Sequence, residues 1–167
     1  SHAIHEHPEL KFEEHFAAGL LSDAARQIGL QVETGVGDLA TAFRAEFGNA
    51  DGGPTVAILA EYDALPNGHS CGHNLIAGAA LCAVVGLKKG PARIPGRIVF
   101  LGTPAEEGGG GKIILLDKGA LRGVDAAMMA HPFDGEACTM PALATRHLEI
   151  AFHGKASHAA VAPWDGA

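Results

Sequence analysis

Cys71 and His73 stand one residue apart, a spacing that suits a loop wrapping a metal ion. Glu106 and Glu107 are adjacent, so their carboxylates point differently and can serve different ends. One can bind a cation while the other handles protons. His131 adds an imidazole, and Glu61 and Asp63 add two further carboxylates. Thiolate, imidazole and carboxylate together describe a site for zinc or a similar transition ion. Such an ion lowers the pKa of bound water to about 7 and polarises a carbonyl. A nearby carboxylate then takes the proton and delivers it to a leaving amine. Amide hydrolysis needs all of these parts.

Taken singly, each residue has an ordinary explanation. A Glu-Glu pair is usually solvated surface, a strand-terminal histidine is usually structural, and a lone cysteine is a small buried hydrophobe. Their joint occurrence at successive strand ends is what points to a metal site. Three short apolar runs, Thr55–Ala60, Ile98–Leu101 and Val124–Ala130, read as strands buried in a parallel sheet. Each leads directly into the residues named above. In open α/β sheets the carboxyl ends of the strands line the crevice where ligands bind.

Helical segments separate the strands. His73–Lys89 is closed by Lys88, Lys89, Gly90 and Pro91, and a segment of about Gly110–Lys118 is closed by Gly119. The Gly108–Gly111 run lets backbone approach closely. Near the start, Phe12, Phe16, Leu20, Ala24 and Ile28 recur every four residues and predict one apolar helix face. Pro8 and Glu9 suit its first turn, Glu13 and Glu14 its positive end, and Gly29 its stop. Shorter strands are expected around Gln31–Glu33 and Ala40–Phe47, with a turn over Asn49–Pro54. Strand, helix, strand, helix, strand predicts an α/β sheet with helices on both faces. Near Thr145 the pattern changes. Leu148, Ile150 and Phe152 then alternate with His147, Glu149 and His153, predicting the first strand of a second, α+β unit. The expected division is thus 1–144 and 145–167.

The composition narrows the class. The chain has 167 residues, 47% apolar and 19% charged, with a net charge of -7, which disfavours nucleic acid and acidic membranes as partners. The apolar stretch after His73, Asn74–Leu87, falls short of the roughly 20 residues that span a bilayer. Three cysteines without framework spacing fit a reducing compartment, and the cytoplasm is expected. Cys82 and Cys138 are assigned to packing; His2, His5, His7 and His15 are read as solvated or as supporting the site from outside.

Two motifs compete. Gly35-Val36-Gly37-Asp38-Leu39-Ala40 matches a dinucleotide fingerprint but lies between helix and strand, the wrong context. Gly68-His69-Ser70-Cys71-Gly72 matches a nucleophile elbow, making an α/β serine hydrolase using Ser70 the rival. That reading leaves Glu106, Glu107 and His73 unexplained.

A wider set of motifs carries a resemblance. They are His5-Glu6-His7-Pro8-Glu9, Glu61-Tyr62-Asp63-Ala64-Leu65-Pro66, His69-Ser70-Cys71-Gly72-His73-Asn74, Thr103-Pro104-Ala105-Glu106-Glu107-Gly108, Met129-Ala130-His131-Pro132 and Gly154-Lys155-Ala156-Ser157-His158-Ala159. In this order the chain resembles the aminoacylase/carboxypeptidase family of zinc peptidases, in its amidohydrolase branch. That branch includes hippurate hydrolase, aminobenzoyl-glutamate hydrolase and the Xaa-Arg dipeptidase.

The resemblance implies two divalent metal ions, zinc first and manganese as alternative. It implies Cys71, His73, Glu107 and His131 as ligands and Glu106 as general base. Asp63 would orient the site from behind, and His158, in a lid domain, would steady the oxyanion. It further implies a small amide or dipeptide substrate and a homodimer formed through the lid. Family members are more than twice as long and return from the lid to supply another metal-binding histidine. This sequence has no position for it, so the chain reads as an N-terminal fragment or truncated product. A non-catalytic metal-binding remnant is the corresponding alternative.

Overall fold

The computed structural model describes residues 1–90, 94–139, 143–144, 146 and 148–166. Two units separate, Ser1–Glu136 and Ala137–Ala167. The first contains five strands: β1 (Val32–Thr34), β2 (Phe43–Gly48), β3 (Thr55–Ala60), β4 (Arg97–Gly102) and β5 (Ala126–Met128). Its helices are α1 (His2–Glu6), α2 (His15–Gln27), α3 (His73–Lys89) and α4 (Gly111–Asp117). In space the strands lie in the order β1-β2-β4-β3-β5. β3 lies between β4 and β5 and pairs in parallel with both, as expected, and β1 and β2 add an antiparallel ribbon at one side.

Parallel strands need both faces covered, because the crossover helices lie on them. On one face Phe43, Ile58, Ala60 and Phe100 pack with Ile4, Leu21, Ala25, Ala77 and Val84 of the first three helices. On the other, Ala57, Val99 and Leu101 pack with Leu59, Leu121 and Val124. There α4 also buries Leu115 against Val36 and Ala42. Ala60 stands opposite Gly102 in the parallel register. The two strands therefore end level, and the residues after each emerge at one edge of the sheet.

The N-terminal helix differs from its sequence expectation. Residues 8–14 form no helix, and α2 begins only at His15. Glu9 accounts for this start: its carboxylate accepts from the free backbone N–H groups of Phe16 (2.9 Å) and Ala17 (3.0 Å). That satisfies donors which an α-helix leaves unpaired in its first turn. The buried stripe is Ala17, Ala18, Leu21, Ser22 and Ala25, so the face is rotated from the Phe16–Leu20 row, both of which are half-exposed. Gly29, at φ +81°, stops the helix as expected.

Three further expectations need correction. β5 is short and exposed along its length, where a strand buried on both faces was expected. It is an edge strand, paired only with β3 among the described residues. Cys82 and Cys138 are exposed and take no part in the packing. On α3 the buried stripe runs through Ile76, Ala77, Ala80 and Val84, and Cys82 falls outside it.

In the second unit, the strand expected from Arg146 to His153 is not formed. Residues 148–153 have no regular structure and Leu148, Ile150 and Phe152 are exposed. A strand exists only through a partner's hydrogen bonds, and among the described residues none pairs there. Thr145, His147 and Pro91 lie outside the described residues.

One glycine is decided by packing. Gly102 ends β4 directly opposite Phe43 of β2. A Cβ there would collide with the Phe43 ring and the Tyr62 hydroxyl. Inserting a methyl group into such a filled site typically costs about 1–3 kcal/mol. Gly102→Ala is therefore expected to lower stability by that amount in urea denaturation, with an unchanged m-value. A variant as stable as the parent would show that the Phe43 ring is free to move aside.

Candidate metal centre

Glu61 and Asp63 leave β3 two residues apart, so an extended chain sends both carboxylates to one side and Tyr62 to the other. Tyr62 goes into the core, where its hydroxyl donates to the Thr41 carbonyl at 2.6 Å. Both carboxylates are buried at the strand end, as is His73 at the start of α3. Asp63 is fully engaged: its Oδ1 lies 2.9 Å from His73 Nδ1, and its Oδ2 accepts from the Glu107 backbone N–H at 2.8 Å. Those hydrogen bonds hold its carboxyl below the usual range, although burial alone pushes it upward.

An ionised Asp63 can only accept, so the ring proton of neutral His73 must sit on Nδ1. In that neutral form His73 Nε2 keeps a free electron pair, buried and without a hydrogen-bond partner among the described residues. Around it stand Glu61 Oε2 at 3.4 Å, Glu106 Oε2 at 3.7 Å and Glu107 Oε1 at 3.7 Å. His131 comes from beyond β5, its ring centroid 6.0 Å from that of His73. Its Nδ1 donates to the Pro132 carbonyl at 2.8 Å, which again leaves Nε2 free. Metal-binding histidines are commonly oriented by such a bond on the other ring nitrogen. Two sets of donor atoms gather within 4.8 Å of one another: Glu61, His73 and His131, and His73, Glu106 and Glu107.

Cys71 lies beside this group. Its thiol is pushed up to about 11, first by its hydrogen bond with Glu107, then by burial and by the charges of Glu107, Glu106 and Asp63. Gly72 next to it takes φ +77°, and a Cβ there would come within 2.9 Å of Pro132 Cγ. Only glycine lets the Cys71–His73 loop turn this way so close to the strand end that carries His131.

The Glu106-Glu107 turn is held from behind by Glu14. Glu14 Oε1 accepts from the Ala105 N–H and Oε2 from the Thr41 hydroxyl, each at 2.8 Å. Ala105 is held at φ +59°, a region that costs a non-glycine residue energy and persists only where surroundings enforce it. Glu14 was expected at a helix end and does stand there, as the residue before α2, but its side chain is fully buried and faces the site loop instead of capping the helix. No local pattern reveals this, because its partners lie far along the chain.

Glu106 itself is pushed above the usual carboxyl range, chiefly by partial burial and then by the charge of Glu61, with Lys112 pulling the other way. His73 is raised too: burial, the largest influence, lowers it, but Asp63, Glu61 and Glu107 together outweigh that. Two buried, unpartnered donor atoms, His73 Nε2 and Glu61 Oε2, with the more exposed Glu106, Glu107 and His131 beside them, suit a divalent cation. The residues present fit one.

Residues 57–160, more than half of the chain, match peptidase family M20/M25/M40. The chain belongs to that family. A Xaa-Arg dipeptidase of Mus musculus is 44% identical over 99% of this chain and 42% of its own length. One component of the p-aminobenzoyl-glutamate hydrolase of Escherichia coli K12 is 38% identical over 96% of this chain and 37% of its own. A solved dinuclear metal binding peptidase of the M20 family from Bacillus subtilis superposes with a TM-score of 0.69 at 29% identity. That superposition covers 75% of this chain and 39% of the other. The chain thus spans less than half the length of these M20 relatives.

Ser70, the rival nucleophile, lies in an exposed turn ten residues beyond Ala60, where β3 ends. An elbow requires its strand to run into the motif. Within Gly35–Ala40, Val36–Asp38 forms a short 3-10 turn between β1 and β2, not the opening of an α-helix. His158 belongs to the second unit, where its Nδ1 accepts from the Ala160 N–H at 3.2 Å. Two residues of the site were given no part in its chemistry by the sequence: Glu14 was placed only at a helix end, and Glu61 was only counted among the strand-end carboxylates. Glu61 had a visible signal, its two-residue spacing from Asp63.

Burial raises the Glu14 carboxyl above its ordinary value of 4.5, against the bonds from Thr41 and Ala105. The folded state thus binds that proton more tightly than the unfolded chain, so protonation stabilises the fold as pH falls. Glu14→Gln keeps both contacts, with its amide oxygen accepting from Ala105 and its NH2 donating to Thr41. The variant is expected to exceed the parent in stability at pH 7, and that advantage should disappear below about pH 4.5. Glu14→Ala should lose about 1–3 kcal/mol at both pH values, since a buried N–H is left unpaired. Urea denaturation at pH 7 and pH 4 checks this; an advantage independent of pH would remove burial of charge as its cause.

Proposed function

We propose that this chain carries out metal-dependent hydrolysis of an amide bond in an N-acyl amino acid or dipeptide-like substrate. The observation that carries the reading is His73, fixed by Asp63 with Nε2 free and surrounded by Glu61, Glu106 and Glu107. The names of its relatives, a Xaa-Arg dipeptidase and a p-aminobenzoyl-glutamate hydrolase, point the same way. Residues 1–144 are assigned to the catalytic domain and 145–167 to the opening of a lid.

Cys71, His73, Glu107 and His131 hold two divalent ions, which supply Lewis acidity to water and to the amide carbonyl. Thiolate and imidazole donors favour zinc, and the carboxylates leave manganese as the alternative. Glu106 takes the proton from water and passes it to the leaving amine. Its carboxyl, raised above the usual range by burial and then by the charge of Glu61, suits a group that must hold and release a proton. A cavity of ≈150 Å³ lined by Leu10, Lys11, Ala64, Leu65, Pro66 and Glu107 opens beside the metal-binding carboxylate and receives a substrate side chain.

His158 is assigned to the oxyanion. Accepting at Nδ1 leaves its ring proton on Nε2, exposed for donation. In a homodimer formed through the lid, this histidine serves the partner's site. Among the described residues no helix is long and apolar enough to cross a membrane. The three free cysteines support the cytoplasm as the working compartment.

Removing metal with a chelator is expected to abolish hydrolysis of dipeptides or N-acyl amino acids, and zinc or manganese should restore it. Glu106→Gln should keep the metal while turnover drops about 100-fold or more, since general-base catalysis is worth roughly 10²–10⁴. Glu107→Gln should instead weaken metal binding. Metal content measured beside turnover separates these; interchanged phenotypes would reverse the two roles, and metal without turnover in the parent would favour a binding protein.

A further inference from the structure

The two carboxylates that leave β3 are not equivalent. Both oxygens of Asp63 are taken, one by His73 Nδ1 and one by the Glu107 N–H. Glu61 has one oxygen taken and one free. Its Oε1 is held by the ammonium of Lys112, from the first turn of α4. Its Oε2 is buried and accepts no hydrogen bond among the described residues. That free oxygen lies 3.4 Å from His73 Nε2, itself buried and unpartnered. Two buried polar atoms without partners thus face each other out of reach of solvent, an arrangement that is costly unless a proton or a metal cation comes between them. A nitrogen of His131 completes a set of three within 4.8 Å.

We propose that Glu61 is a ligand of the ion bound by His73, and that Lys112 positions it. The inference rests on the metal-centre reading above and adds a ligand to it. Lys112 fixes the direction of the carboxylate by taking Oε1, so that Oε2 is turned toward the ion. It also offsets one negative charge of a group otherwise made of four carboxylates, Glu61, Asp63, Glu106 and Glu107. A lysine on a neighbouring element does this without competing for the ion, since an ammonium has no electron pair to give. Lys112 lies outside the Glu-Glu motif, on the helix that follows its glycine run, so α4 anchors the ligand as well as covering the sheet.

The test is zinc and cobalt affinity of the metal-stripped protein, by equilibrium dialysis and by the cobalt absorption bands, in the parent, Glu61→Gln and Glu61→Asp. Glu61→Gln is expected to weaken binding about 10-fold or more and to shift the cobalt bands, because a charged ligand is lost. The metal-free variant should melt no more than slightly below the metal-free parent, while the increase in Tm on adding zinc shrinks. Where Glu61→Gln fails to fold, Glu61→Asp keeps the charge beside Lys112 but withdraws the oxygen by one methylene, and the same loss of affinity is expected. Tight binding by the parent with unchanged affinity and unchanged cobalt bands in the folded variants would reduce Glu61 to the counter-ion of Lys112 and overturn the proposal. A parent that binds neither ion would overturn the metal centre itself, and this inference with it.

Discussion

The hydrogen bond between Asp63 and His73 joins three separate pieces of chain. Asp63 is on the exit of β3, His73 opens α3, and the same carboxylate accepts the backbone N–H of Glu107 in the loop after β4. With Oδ1 and Oδ2 both used, the carboxylate has no freedom to rotate, and the imidazole has no choice of tautomer. The ring therefore presents its free nitrogen in one direction. Because all three groups are buried or nearly so, water offers no competing partner, and the bond is stronger for it. Each of the donors around His73 takes its meaning from that fixed direction.

The same burial makes the group electrostatically unsettled. Four carboxylates converge on one imidazole, and Lys112 pairs with one of them. The consequence is visible in two places: Glu106 is raised and the Cys71 thiol is pushed to about 11, both partly by neighbouring negative charge. A cation among these groups relieves repulsion and desolvation together, which couples its binding to the stability of the loops that carry them. The Ala105 backbone, held at φ +59° by Glu14, places further local strain directly behind Glu106. Strain of this kind persists where surroundings over-determine it, and here the surroundings are a buried carboxylate and the core.

What the sequence made legible follows the reach of each interaction. The β3 and β4 runs are apolar on both faces and short, so the parallel centre of the sheet could be read directly, and α3 matches its expected span of His73–Lys89. The donors at strand ends were readable because topology brings such ends together. Glu14 was not, since its partners Thr41 and Ala105 are 27 and 91 residues away. The α2 face was misread because the fourfold row of Phe16 and Leu20 looks apolar, while the stripe that packs is shifted by one position and mostly small, Ala17, Ala18 and Ala25 with Leu21. Size decides which face fits closely, and periodicity alone does not carry it. Residues 148–153 show the opposite limit: alternation describes a strand that pairing would complete, and pairing is not a local property.

The parts of the site are unequally held. Asp63, Glu61 and His73 sit on the centre of the sheet or on the helix packed over it, and all are buried. His131 follows an exposed edge strand of three residues and is itself exposed. Its restraints are the bond from its own ring to the Pro132 carbonyl and the close approach of Pro132 to Gly72. Local stability in a fold follows burial and pairing, so β5 is the element most easily displaced. An ion shared between His73 and His131 would link the weakest strand to the strongest. In such an arrangement the cation does structural work as well as chemical work, because the edge of the sheet gains from it the cross-connection that its own short ladder cannot supply.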